Sequence, residues 1–88
     1  GQANPPVQLV VRNIALRRSP VRLGRERKHL KFRITDGATS LDAVWWGGAG
    51  KEWPRERFDL ACAPHINEFN GRTSVQLKVL DWRPTGAR

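Results

Sequence analysis

The sequence predicts an all-β domain rolled into a small closed barrel, and three observations carry that expectation. The first is strict two-residue alternation from His29 to Thr35, which sets Leu30, Phe32 and Ile34 on one face and His29, Lys31 and Arg33 on the other. The second is a pair of hairpin-type turn signals, Asp36-Gly37 and Asn70-Gly71, each flanked by apolar-rich runs. The third is that no long stretch has helical periodicity, so the 88 residues divide into five strand-like runs. Five strands in an open sheet leave exposed edges, and closure into a barrel removes them.

The elements follow in order. Gly1 to Pro6 is polar and carries Pro5 and Pro6, so it reads as a linker that neither starts a helix nor joins the middle of a sheet. The first strand takes Val7 to Val11 and then Asn13 to Leu16; its alternation slips near Arg12 and Asn13, as at a bulge that bends a long strand. A basic loop from Arg17 to Arg27 is broken by Pro20 and Gly24. The second strand is the alternating run His29 to Thr35, followed by a loop slightly longer than two residues around Asp36-Gly37, with Asp36 as a turn residue. The third strand spans Ser40 to Trp46, and a glycine-rich loop from Gly47 to Arg55, with Trp53 and Pro54, has room for at most one helical turn. The fourth strand runs from Arg57 to about Phe69, with Phe58, Leu60, Cys62 and Ile66 as core candidates and Pro64 marking an edge or a bulge. Asn70-Gly71 makes a two-residue turn because both positions tolerate positive φ. In the fifth strand Val75, Leu77 and Val79 point inward and Ser74, Gln76 and Lys78 outward, and Pro84 to Arg88 reads as a flexible tail.

Among five-stranded barrels the long, bent first strand favours the OB-fold over an SH3-like barrel, whose strands are shorter and whose first loop is placed differently. In an OB-fold the faces of the second and third strands, with the loops after the first and fourth, form the usual oligonucleotide groove. A chain of this length makes one domain over residues 7 to 83, able to sustain one core without staples. The single Cys62 closes no internal disulfide and no Cys/His spacing resembles a zinc site. The apolar runs are too short to span a bilayer and no signal-peptide layout is present, so a cytoplasmic domain without a membrane partner is expected. The start at Gly1 and the loose tail suggest a module of a longer polypeptide.

Charge supplies the functional pointer. Of the sixteen Lys and Arg residues, nine lie between Arg12 and Arg33 against the single acid Glu26, which accounts for the whole formal net charge of +8. Charge concentrated on one strand, one loop and the next strand attracts polyanions, of which nucleic acid is the commonest. The alternative is a solubilising face.

A family resemblance joins this reading. The opening Gly1-Gln2-Ala3-Asn4-Pro5-Pro6-Val7, then Gly24 followed by His29-Leu30-Lys31-Phe32, then Leu41-Asp42-Ala43-Val44, and finally Asn67-Glu68-Phe69-Asn70-Gly71 with Val75 to Asp81, resemble in order the OB-fold domain of RecJ, a bacterial single-strand-specific 5′-to-3′ exonuclease of the DHH phosphoesterase superfamily. The resemblance implies a non-catalytic domain that follows the catalytic core, joins it near Asn4-Pro5-Pro6 and grips single-stranded DNA. It implies a divalent metal, Mn or Mg, for the catalytic domains of the same polypeptide and none for this segment, where no Asp-His-His triplet occurs.

Single-strand binders combine cations that track phosphates with flat side chains on which bases stack. The candidate cations are Arg17, Arg18, Arg22, Arg25, Arg27 and Lys28 in or beside the first loop, and Lys31 and Arg33 on the outer face of the second strand. Trp45 and Trp46 are consecutive on a strand, so one faces in and one out. Strict alternation from Leu41 and Ala43 buries Trp45, whereas the family pattern makes Trp46 the core aromatic; Trp45 is taken as the exposed stacker. Phe69 and Trp53 are secondary stacking candidates, with capping of a barrel end as the alternative for each, and Trp82 is expected to pack across the barrel bottom. His29 and His65 lack the neighbours a metal needs, and no paired carboxylates or base-activated nucleophile suggest catalysis. The expected partner is single-stranded DNA, bound by a monomer. A structural module that braces the catalytic core or binds an acidic partner, such as the tail of a single-strand-binding protein, and a stand-alone RNA- or tRNA-binding OB domain are the alternatives.

Overall fold

A computed structural model describes residues 8 to 86 as six strands: β1 (Leu9–Leu16), β2 (Val21–Leu23), β3 (His29–Thr35), β4 (Ser40–Trp45), β5 (Phe58–Phe69) and β6 (Arg72–Pro84). They form one sheet in the order β1-β5-β6-β4-β3-β2, and the additional pairing of β1 with β3 closes five of the strands into a barrel. All neighbours are antiparallel except β4 and β6, which run parallel. The expected OB architecture is present. The linker expected at residues 1 to 6 lies outside the described residues.

Closure depends on the bend in β1. Its pairing with β5 shifts register between Val11 and Ile14, and Asn13 sits at φ 57°, a conformation that asparagine tolerates better than most residues. The Asn13 N–H donates to Asp59 Oδ1 at 2.9 Å, and Arg57 Nη1 donates to the Asn13 carbonyl at 3.0 Å. Pinned there, the strand turns away from β5 and pairs Ala15 with Thr35 and Leu16 with Ile34 on β3. The bulge expected near Arg12 and Asn13 is therefore the hinge of the barrel.

The loop expected from Arg17 to Arg27 is shorter than it reads. After Arg17 the chain skips past Ser19 and Pro20 and rejoins β3 as β2, pairing Val21, Arg22 and Leu23 with Lys31, Leu30 and His29. Only Gly24 to Lys28 is a turn, with the Arg27 N–H donating to the Gly24 carbonyl at 3.1 Å. Gly24 at φ 92° supplies the left-handed step.

Phe32, Phe58, Ile14, Leu30, Leu60 and Cys62 fill the barrel, with Ile34, Ala43, Leu77 and Val79 completing the core. Burying each large side chain contributes about 1.5–3 kcal/mol. Burial also pushes the Cys62 thiol pKa up, which keeps it protonated and unreactive. Trp53 and Trp82 pack against this core from outside, Trp82 meeting Phe58 edge-on and donating its indole N–H to the Glu52 carbonyl at 3.2 Å.

Two core expectations are corrected. Ile66 and Val75 pair with each other but are 61% and 46% exposed. The reason is length. Among the described residues β1 covers β5 only up to Cys62 and β4 meets β6 only from Gln76 to Lys78, so none of them covers the apolar phase of the β5–β6 hairpin where it projects beyond the barrel. Pro64 falls on the part of β5 that has no β1 partner, where a missing N–H is tolerated. The Asn70-Gly71 turn has φ values of 52° and 75°, as its sequence predicts. A further bulge leaves Leu80 unpaired between Asp81 opposite Ala61 and Val79 opposite Cys62, and this shift of phase turns Trp82 toward the barrel. The expected tail starts too early. β6 includes Pro84, and Thr85 is held by its N–H to the Arg57 carbonyl and its hydroxyl to Asp59.

Asp36 is a turn residue, as expected: its Oδ1 accepts from the Thr39 and Ala38 N–H groups, both at 2.8 Å, and these bonds hold its carboxyl below the ordinary carboxylate pKa. Among the described residues no helix is long and apolar enough to cross a membrane.

Candidate nucleic-acid interface

Residues paired across adjacent strands project to the same face of a sheet, so the registers define rows on the outside of the barrel. One row begins with Arg17, whose N–H donates to the Arg33 carbonyl at 2.7 Å, and continues through Arg33, Asp42, Gln76 and His65. The next, two residues along each strand, reads Val21, Lys31, Val44, Lys78 and Ala63. A third holds Leu23 and His29, with Trp46 beside His29. The opposite face of β3 and β4 carries the core residues Leu30, Phe32, Ile34 and Ala43. The outer face therefore presents Arg17, Lys31, Arg33 and Lys78 against Asp42.

Local sequence explains this segregation. Alternation in β3 sends Lys31 and Arg33 outward, and the parallel pairing of β4 with β6 brings Lys78 alongside Val44. Val44 is only 2% exposed, which gives the face an apolar floor between two lysines. Asp42 uses both oxygens: Oδ1 accepts from Arg33 Nη1 at 3.0 Å, and Oδ2 lies 3.5 Å from Lys31 Nζ. Arg17 Nη1 donates to Ser40 Oγ at 3.2 Å.

The expected cations are only partly gathered. Arg17, Arg18 and Arg33 line a common cleft of about 430 Å³ at one end of the face, adjoining Lys31. Arg22 pairs with Leu30, so it projects on the side of the sheet opposite Lys31. Arg25, Arg27 and Lys28 lie exposed on the turn into β3, where Lys28 forms an ion pair with Glu26.

The assignment of the two tryptophans is corrected. Trp45 pairs with Leu30 and packs on the core, its ring meeting Phe32 edge-on at 6.2 Å, with Lys51 Nζ 5.5 Å from the ring centroid. Trp46 is the exposed one, at 56%. Alternation from Leu41 and Ala43 carries through to Trp45, and the pattern taken from the resemblance does not apply at this position. The neighbouring loop confirms the packing: a Cβ added to Gly48 would lie 2.6 Å from Trp45 Cγ. Gly48→Ala is expected to destabilise the domain by about 1–3 kcal/mol in urea unfolding through overpacking.

Trp46 is held in place by His29. The rings meet edge-on with centroids 4.8 Å apart, and His29 Nδ1 accepts the Gly47 N–H at 2.8 Å, which fixes the ring orientation. Beyond Trp46 a cleft of about 530 Å³ extends toward the hairpin, lined by His65, Asn67, Gln76 and Lys78 among others. Trp46 and Lys78 are the members of this face that sequence reasoning missed. The outward phase of Lys78 was legible, but its neighbourhood depends on the non-local β4–β6 pairing. Phe69 ends β5, and its side chain lies outside what the structure describes.

Comparison with known proteins agrees with this architecture. The model of the RecJ OB domain matches residues 1–81. The chain belongs to the RecJ OB domain family. No curated protein matches it. Among solved structures this RecJ OB domain is similar to the second single-stranded DNA binding protein (SSBb) from Mycobacterium smegmatis, with a TM-score of 0.59 and 22% identity over 92% of this chain and 86% of that one. At that identity the likeness establishes the shared fold. Among the described residues of the RecJ OB domain no group of three or more His, Cys, Asp or Glu side chains could hold a metal ion.

Proposed function

We propose that the chain is the single-stranded-DNA-binding OB domain of a RecJ-like 5′-to-3′ exonuclease, which holds the strand on a basic face for catalytic domains of the same polypeptide. One observation carries the reading: the strand registers put Lys31, Arg33 and Lys78 on one outer face, with Arg17 bonded beside Arg33 and Trp46 packed against His29 at its edge, while the core fills the other. The cations attract the phosphates, and Trp46 offers a π-surface to a base irrespective of sequence. The similarity to a single-stranded DNA binding protein and membership of the RecJ OB domain family support the same assignment. The domain acts as a cytoplasmic monomer, and the divalent metal of hydrolysis belongs to the catalytic domains.

The test is an NMR shift map of the domain titrated with a short thymidine oligomer. Shifts concentrated on β3, β4, β6 and Trp46 are expected, and shifts confined to β1 and the Gly47–Arg55 loop would overturn the assignment. Trp46→Ala is expected to weaken binding by about 1–3 kcal/mol, roughly 5- to 150-fold, with the salt dependence unchanged, because a stack contributes no counterion release. Fluorescence anisotropy at several salt concentrations measures both quantities.

A second reading is supported by Asp42, whose carboxylate the Lys31–Arg33 pair already engages. On that reading the face binds an acidic protein tail. An acidic peptide that displaces the oligomer at equal ionic strength, and that binds more tightly than the DNA, would favour it.

A further inference from the structure

We propose that Asp42 is a built-in competitor of phosphate, occupying the Lys31–Arg33 pair in the empty domain and thereby setting how tightly a single strand is held. This rests on the DNA-binding reading above. Asp42 lies at the centre of the cationic face, in register between Arg33 on β3 and Gln76 on β6, and each of its oxygens engages a different cation. Two cations sharing one carboxylate present a net charge of +1 where they would otherwise present +2. A carboxylate and a phosphate engage a guanidinium through the same forked geometry, so a phosphate arriving at Arg33 takes the position that Asp42 Oδ1 holds.

The pair is also easily opened. Lys31, Arg33 and Asp42 side chains are each about one-third exposed, and ion pairs of that kind contribute little to stability. Exchange of Asp42 for phosphate therefore demands no rearrangement of the barrel, while the displaced carboxylate stays close enough to repel the bound strand. The consequence is a grip that releases readily, as suits a domain through which a strand must advance.

Asp42→Asn keeps the size and one acceptor oxygen and removes the charge. With a labelled thymidine oligomer it is expected to tighten binding about fivefold at low salt. The slope of log affinity against log salt is expected to steepen by about 0.7, the increment for one further phosphate neutralised on a single strand. Asp81→Asn changes net charge by the same amount away from this face, where Asp81 shares a cleft with Val10 and Arg83, and it is expected to change neither quantity. Asp42→Ser, which leaves no amide to bridge the cations, is expected to behave like Asp42→Asn. Unchanged or weaker binding by both Asp42 variants would assign Asp42 to positioning the cations and overturn the inference, as would equal tightening by Asp81→Asn. An oligomer bound by none of the proteins overturns the DNA-binding reading itself, whereas binding by the native chain without tightening in the variants overturns only the role of Asp42.

Discussion

Replacing Lys31 and Arg33 together by glutamate is expected to lower affinity for a single strand on the order of a hundredfold, since two charge-assisted contacts are lost and two repulsive charges gained. The native domain, with Arg17, Arg18, Lys31, Arg33 and Lys78 on or beside the outer face and Asp42 cancelling one of the five charges, is expected to show a salt slope of roughly −2.8, the share of four neutralised phosphates. The reversed variant should flatten that slope by about 1.4, the share of two contacts. Adding carboxylates beside Asp42 crowds three on one patch, so Lys31→Gln with Arg33→Gln serves as the gentler arm, with about tenfold weaker binding and the same flattening. Both side chains project outward from β3 and neither belongs to the core, so thermal unfolding of the glutamine variant should stay close to that of the native domain. A titration in which neither pair of substitutions alters affinity or slope would remove the outer face from consideration.

The same two residues show how much of the site was legible in the sequence. β3 alternates without interruption, and period-two alternation fixes the face of a strand buried on one side, so Lys31 and Arg33 were placed correctly. Asn70-Gly71 and the slip at Asn13 were legible because left-handed backbone favours glycine and asparagine, and both positions have positive φ. What failed was whatever depended on how far one strand covers another. Ile66 and Val75 carry the phase of core residues, yet nothing local records that β1 and β4 stop short of them. The unpaired Leu80 is equally silent, although it decides which way Trp82 faces.

The tryptophan pair teaches a different lesson. Local alternation and the family resemblance gave opposite answers, and the local rule was correct, because Leu41, Ala43 and Trp45 lie on one uninterrupted strand with the pairing Ile34, Phe32, Leu30. A resemblance locates an element, but the register of this chain decides the direction of a side chain within it. Arg22 follows the same logic: once residues 21 to 23 pair with β3, parity sends Arg22 away from Lys31, whereas an unstructured loop would have left it free to approach.

Asp59 is the position where one substitution should cost the fold most. It is 7% exposed and accepts from the Asn13 N–H and the Thr85 hydroxyl, both at 2.9 Å, with Arg83 Nε 3.5 Å from its other oxygen. One carboxylate thus joins the hinge of β1 to the end of β6. The Asn13 bond, with help from Thr85 and Arg83, holds its pKa below the ordinary carboxylate value. The unfolded chain therefore binds the proton more readily than the folded one, and stability rises with pH across that interval. The Asp59 contribution is fully present above the unfolded value, about pH 4, and is lost as pH falls through the lower folded value. Asp36, also depressed, adds to the same acid limb. Asp59→Asn directs an amide toward Arg83 and loses the charge, so at neutral pH a fall in melting temperature of about 10 °C is expected. Below pH 4 the variant and the native domain should converge, because the native carboxyl is then protonating as well. Melting curves of the two proteins that run parallel from pH 7 to pH 2 would show that Asp59 holds the hinge by shape alone, and that its charge contributes nothing to closing the barrel.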